Sequence, residues 1–451
     1  MRDAAMTSAQ PISHGRVWRI AGPIILSNLT VPLLGAVDTA VVGHLPKAWY
    51  LGAVAVGAMI FNFLYWAFGF LRMGTTGLTA QAYGAGDGGE VRANLARALV
   101  SAWAIGLAMV ALQSPIGFLA FRLLEASPDV EAAGHVYFAI RIWSAPAALG
   151  GFALLGWFIG IQNTRVALAV QLFMNGLNIS LDLLFVLVLG WGVAGVAAAT
   201  VIAEYAGLLL GLWLAAVNLR RIGGRFARAA VLQADRLRRL FAVNRDIFLR
   251  SLCLIFASAC FTAQGAKQGD VVLAANAVLQ NFVQFLAFGL DGFAFAAEAL
   301  IGGAIGARDR GLLRQAVRMT SLWAGLCGLG YLAVYAAAYG LIIGLLTGVP
   351  EVQAAARAYL PWVLVAPLIA VWSYQLDGIF IGATRTADMR NGMAISLAAF
   401  LAADWLLQPL WGNHGLWFAM ALMWLVRALT LAVRYPALER AVVPAPKSPV
   451  Q

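Results

Sequence analysis

The sequence predicts an all-α integral membrane protein: twelve transmembrane helices in two pseudo-symmetric six-helix lobes that are parallel repeats of one another. Three observations carry this prediction. The chain is 62% hydrophobic and only 11% charged, with a mean hydropathy of +0.82, too apolar to cover a water-soluble surface. Its apolar residues fall into segments of about 20 or more, the length a helix needs to cross a hydrocarbon core. Several residues also recur at one fixed offset in the two halves, the mark of a duplicated unit.

Taken in order, the apolar segments lie near residues 20–43, 51–82, 96–120, 136–161, 166–189, 193–217, 246–266, 271–304, 316–346, 357–383, 391–411 and 415–436. The stretch ahead of the first, Met1 to Arg19, is polar and basic, with no small-residue cleavage site behind it, so a cleaved signal peptide is not expected. An even number of spans puts both termini on one side. On that side fall Arg16, Arg19, Arg92, Arg97, Arg165, the basic run Arg308 to Arg318, Arg385, Arg390, Arg434, Arg440 and Lys447. Lys47, Arg122, Arg141, Lys267 and Arg357 fall on the other. Positively charged connections stay inside, so both termini are expected in the cytoplasm of a multi-pass protein of the cell (inner or plasma) membrane.

The longest polar connection, Asn218 to Arg245, carries eight arginines and sits almost midway along the chain. From Leu232 to Phe241 its spacing is helical with Arg on one face, which suits a helix lying on an anionic leaflet. The organisation expected is therefore an N-terminal lobe at 1–217, a basic cytoplasmic linker at 218–245, a C-terminal lobe at 246–440 and a tail at 441–451. A net charge of +11 raises the question of nucleic acid, but charges confined to short loops between apolar runs act as orientation signals, and no nucleic-acid partner is expected. Cys253, Cys260 and Cys327 lie inside apolar runs without metal or disulfide spacing.

The halves align directly. Gly156-Trp-Phe-Ile-Gly160 recurs as Gly378-Ile-Phe-Ile-Gly382, an offset of 222 residues at which Gly84 also meets Gly306, Asp87 meets Asp309, Arg92 meets Arg314 and Asp182 meets Asp404. Six helices per copy is an even number, so the copies run in the same direction, as in transporters built from parallel repeats. The halves then differ where it matters. Asp38 has Cys260 at its repeat position, and Glu204 has the basic Arg427 near its own.

An Asp at the centre of a membrane helix costs about 2.5–3.5 kcal/mol on insertion scales, so Asp38 is the first candidate functional residue. Asn178 and Asp182 are four apart on one helical face, and Thr200 lies in the next helix. Together they supply two carboxylates, an amide and a hydroxyl, hard oxygen ligands suited to a proton or to Na⁺. Each amide or hydroxyl taken alone also suits plain helix-to-helix hydrogen bonding.

At these residues the chain resembles the multidrug and toxic compound extrusion (MATE) family, and within it the DinF-like branch. The resemblance spans about residues 14 to 440. It rests on Ala21-Gly-Pro-Ile, on Val37-Asp-Thr-Ala-Val-Val-Gly-His44, on Asn175-Gly-Leu-Asn-Ile-Ser-Leu-Asp182 and on Leu376-Asp-Gly-Ile-Phe-Ile-Gly-Ala-Thr384. The resemblance implies a monomeric secondary transporter that exports bulky, often cationic drugs or metabolites by alternating access, against inward flow of H⁺ or Na⁺ and without a cofactor. It implies a cation site at Asp38, Asn178, Asp182 and Thr200, with Pro23 permitting the first helix to bend. The chain departs from the NorM-like pattern of acids in the carboxyl lobe, for its seventh segment has no interior acid. Asp377, Asp291 and Glu298, with Glu204 in the amino lobe, remain candidates for substrate contact or a second site.

Other chemistries find little support. No GxxxxGK[ST] motif occurs to couple transport to ATP, and Gly84-Ala-Gly-Asp-Gly-Gly89 follows no strand. His14, His44, His135 and His414 stand apart with no HExxH pair, against a metalloenzyme. A lipid-linked sugar flippase of the same fold superfamily is the alternative function, and a polytopic membrane enzyme the alternative class.

Overall fold

The computed structural model describes residues 11–43, 49–124 and 127–442. The residues up to Gln10, the segment His44 to Ala48 with Lys47, the pair Glu125 and Ala126, and the tail from Val443 with Lys447 lie outside the described residues. The first helix, α1 (His14–Gly43), is thirty residues long. Among the described residues, eleven further helices are long and apolar enough to cross a membrane. They are α2 (Trp49–Gly84), α3 (Gly88–Ala111), α4 (Pro128–Gly160), α5 (Thr164–Val188), α6 (Gly192–Ile222), α7 (Ala234–Ala266), α8 (Asp270–Gly306), α9 (Arg310–Leu346), α10 (Pro350–Gly382), α11 (Thr386–Trp411) and α12 (Asn413–Ala441). In lipid every backbone polar group must be satisfied within the segment, which is why apolar runs of this length become helices.

The duplication is visible in the fine structure of each half. Asp87 caps α3 by accepting from Glu90 N at 2.9 Å, and Asp309, 222 residues on, caps α9 by accepting from Leu312 N at 2.9 Å. The turns before these caps pass through the left-handed region at Gly86 (φ 73°) and at Arg308 (φ 54°). The turns after α4 and α10 do so at Gln162 (φ 60°) and Thr384 (φ 53°), again 222 apart.

Helix crossings repeat as well. Gly156 of α4 lies against the backbone carbonyl of Arg72 on α2, and Gly378 of α10 lies against that of Ala294 on α8, one repeat later. A side chain at either glycine would strike a main-chain oxygen that cannot move aside. We therefore expect Gly378→Ala to destabilise the protein by about 1–3 kcal/mol through overpacking. Gly330→Ala, where the added methyl meets open space, serves as the control in a thermal unfolding series and should be neutral or slightly stabilising.

The structure refines several boundaries. The segment expected at 51–82 is one span with a break at Phe68 and Gly69, whose N–H groups turn to Tyr65 O and Trp66 O at 3.0 and 3.1 Å. The segment expected at 136–161 starts earlier, at Pro128, and tightens to a 3₁₀ turn at Ile142–Ser144 ahead of Pro146. The arginine-bearing stretch expected to be helical from Leu232 to Phe241 forms the start of α7, which runs unbroken from Ala234.

The chain forms two compact units. One comprises Leu26–Tyr83 and Asp87–Leu240; the other runs from Phe241 and also takes the described residues up to Ile25 and Gly84–Gly86. Pro23 lies inside α1, just before the residue at which that helix passes from one unit to the other. In the first unit two arginines read from sequence as orientation signals also fasten the linker. Arg92 donates to Gly223 O at 2.8 Å and to Leu219 O, and Arg97 donates to Ala230 O at 2.8 Å and to Val231 O at 3.2 Å while gripping Glu90. In the second unit Arg314, the repeat partner of Arg92, holds Glu439 near the end of α12.

Candidate functional site

All four oxygen-bearing candidates of the first half lie in the first unit. Asp38 is near the end of α1, Asn178 and Asp182 are on α5, and Thr200 is on α6. Asn178 and Asp182 are buried, at 2% and 0% exposure. The Asn178 amide bridges its neighbours: turned so that both its ends are satisfied, it donates to Asp182 Oδ2 at 3.2 Å and accepts from Thr200 N at 3.2 Å. The Thr200 hydroxyl donates back to Val196 O at 2.9 Å, which leaves its lone pairs free to accept.

Asp38 closes the group, its carboxyl hydrogen-bonded to that of Asp182. Two carboxyl groups in contact disfavour double ionisation, so the pair is suited to holding one proton or one small cation. Each acid keeps a buried Oδ1 with no partner among the described residues. Asp182 also marks the point where the ladder of α5 changes. The six residues Leu183–Val188 form a π-helical turn, with Leu189 N reaching back to Leu184 O at 2.9 Å. Such turns hold an extra residue and are concentrated at functional sites.

A second buried charge group adjoins this one. Arg141 of α4 donates through Nη1 to Glu204 Oε1 on α6 at 2.8 Å and to Ser144 Oγ at 2.9 Å. Its guanidinium lies over the rings of Phe61 and Tyr65, at 5.3 and 5.9 Å, and Tyr137 lies close to it. Both Asp38 and Asp182 feel its charge. Read from sequence as a residue at the outer membrane face, Arg141 is instead a helical residue with a side chain only 12% exposed, paired with an equally buried acid. A basic residue inside an apolar segment was the available signal; its partner was not legible because the two are 63 residues apart.

The second carboxylate oxygen of Glu204 is buried with no partner among the described residues, and Glu204 lines a cavity of about 180 Å³ between α4, α5 and α6. Tyr65, Phe152, Phe158, Gln171 and Met174 form much of its wall. At this size it holds a single ring with a small head group; an apolar cavity of about 150 Å³ takes benzene, while a drug-sized ligand needs at least about 300 Å³.

The acids of the second unit are differently placed. Asp377 of α10 is held through one oxygen by both Arg250 of α7 and Arg427 of α12, all three side chains between 5% and 7% exposed. Arg427 also lies over the Tyr374 ring at 5.7 Å. Asp291 of α8 acts electrostatically on both arginines, and the buried Glu298 on Arg250. Asp404, the repeat partner of Asp182, accepts from Gln264 Nε2 at 3.0 Å and faces Cys260 in place of a second acid. The two buried arginines were missed as partners of Asp377 for the same reason as Arg141: sequence shows the charge and hides the pairing.

Comparison with known proteins adds relatives to this geometry. The MatE family profile matches residues 23–184 and 247–406, one copy in each half. The chain is 44% identical over 422 residues to DNA damage-inducible protein F of Escherichia coli (strain K12), covering 93% of this chain and 91% of that one. It is 29% identical over 305 residues to the probable multidrug resistance protein NorM of Caulobacter vibrioides, covering 64% and 62%. Among solved structures, a MATE protein in a bent conformation matches with a TM-score of 0.89 at 18% identity, covering 98% of this chain and 99% of that one. A MOP superfamily transporter from Pyrococcus furiosus matches with a TM-score of 0.85, also at 18% identity and with the same coverage.

Proposed function

This chain belongs to the MatE family, as a multi-pass membrane transporter of its DinF-like branch, and from that premise we propose that it is a cation-coupled antiporter. It exports cationic, apolar small molecules by alternating access, as a monomer in the cell (inner or plasma) membrane with both termini in the cytoplasm. H⁺ or Na⁺ flowing inward drives it through Asp38, Asn178, Asp182 and Thr200.

The observation that carries the reading is the contact of the half-buried Asp38 carboxyl with that of the buried Asp182, with the buried Asn178 amide beside them. A carboxyl pair of this kind takes up one proton or one small cation, and its negative charge falls by one when it does. Asp38, Asp182, Glu204 and Arg141 carry a formal charge of −2 when ionised, so two positive charges neutralise them. One belongs between the aspartates. The other, taken up in exchange for the first, fits the unpartnered Glu204 oxygen at the cavity wall, which favours a substrate with one positive charge and an aromatic or aliphatic ring. Asp377 stays outside the coupling set, because its charge is already met by two arginines.

Reconstituted into proteoliposomes, the protein should accumulate a fluorescent monocation against its gradient when an inward H⁺ or Na⁺ gradient is imposed, and only equilibrate it when neither is present. Equal uphill transport with no ion gradient would rule the reading out.

A further inference from the structure

Arg141 stands between the two acidic groups of the first unit. It is paired with Glu204 while the two aspartates hydrogen-bond to each other, and its charge reaches both Asp38 and Asp182. The groups that face it are Asp38 from α1, Tyr65 from α2, Tyr137 and Ser144 from its own helix, Asp182 from α5 and Glu204 from α6. Among these groups Arg141 carries one positive charge against three carboxylates, so it cannot neutralise both acidic groups at once.

Resting on the antiport reading above, we infer that Arg141 is the positioning residue that makes coupling ion and substrate mutually exclusive. With a proton or cation between Asp38 and Asp182, that pair carries one negative charge and Arg141 remains paired with Glu204. When the ion leaves, the pair carries two negative charges and draws the guanidinium to itself. Glu204 then faces the cavity as a free carboxylate and accepts the substrate's positive charge. A guanidinium on three methylenes can change partner by changing rotamer. Its thermodynamic content is that ion and substrate each bind better in the arrangement the other disfavours, which is what exchange requires.

The test is a double-mutant cycle read as the affinity of the purified protein for benzyltrimethylammonium, by calorimetry at alkaline pH. Asp38→Asn mimics the ion-loaded pair and should weaken binding by about 5–150-fold, the range of ordinary coupling free energies. Arg141→Gln should change little by itself, since in the unloaded wild type Arg141 has already left Glu204. In the Asp38→Asn background, however, Arg141→Gln should restore wild-type affinity. This non-additivity separates a switch from a static field, in which Arg141→Gln improves binding by one factor in both backgrounds.

A double mutant that binds as weakly as Asp38→Asn, or equal factors in the two backgrounds, overturns the role of Arg141. If instead Asp38→Asn alone leaves affinity unchanged, the coupling-site reading fails, whatever Arg141 does. Should Arg141→Gln not fold, Arg141→Lys provides the check, because it keeps the charge. It must bind weakly in the Asp38→Asn background, and tight binding there refutes the proposal equally.

Discussion

Asp38→Asn protein should insert, fold and purify like the wild type and yet carry out no gradient-driven export. Asn fills nearly the same volume and can still donate to Asp182, so the loss in stability is bounded by one hydrogen bond, about 0.5–1.5 kcal/mol. Against that loss stands the removal of an acid from an apolar helix, which is itself favourable. On the coupling reading proposed above, what the variant lacks is the second negative charge with which the pair would bind and release an ion. Downhill exchange of substrate persists, while accumulation driven by an H⁺ or Na⁺ gradient disappears. Asp182→Asn should behave in the same way. Asp404→Asn is the internal control, because Asp404 faces Cys260 and Gln264 rather than a second carboxylate, and its transport should remain close to wild type. If well-folded Asp38→Asn protein still concentrates substrate at the wild-type rate, the coupling site lies elsewhere.

The largest stability effect is expected from Asp377→Asn in the second unit. The substitution leaves Arg250 and Arg427 buried side by side with their shared counter-charge gone, and breaking a buried ion pair from one side costs about 3–5 kcal/mol. Asp291 lies near enough to offset part of this. The triple variant Asp377→Leu, Arg250→Met, Arg427→Met, which removes all three charges, should recover most of the loss, because apolar replacements of a buried charge group are often neutral or stabilising. Thermal unfolding of the three proteins in one detergent decides the matter. An Asp377→Asn protein of unchanged melting temperature that no longer transports would move Asp377 from a structural role into the transport cycle.

The sequence reveals the fold and conceals the pairings, and the reason is physical. Helix length and the requirement that backbone groups be satisfied in lipid are local properties, so the spans could be read directly, apart from ends such as Ala234 where α7 extends into the linker. The duplication could also be read, because Gly156 and Gly378 must stay small where a helix crosses a main-chain carbonyl. Asp38 and Glu204 stood out individually as costly charges in apolar segments. Which acid meets which base is decided by helix rotation and packing across separations such as the 127 residues between Arg250 and Asp377. No local periodicity records that choice. The π-helical turn beyond Asp182 was illegible for a similar reason, since Leu183–Val188 reads as an ordinary apolar stretch.

The formal charge of −2 shared by Asp38, Asp182, Glu204 and Arg141 has an energetic consequence for the membrane as a whole. If one proton leaves as one monocation enters, the group carries the same charge in both loaded forms. The full cycle then moves no net charge, so the transmembrane voltage, worth about 2.3 kcal/mol for each ~100 mV on a moving elementary charge, does no work on it. The driving force is the pH difference alone, roughly 1.4 kcal/mol per unit. That sets a ceiling: each pH unit sustains about a tenfold concentration ratio of substrate and no more. On the proposed antiport reading with H⁺ as the coupling ion, a cell would thus keep its export capacity when the membrane is depolarised, and lose it when the pH gradient collapses.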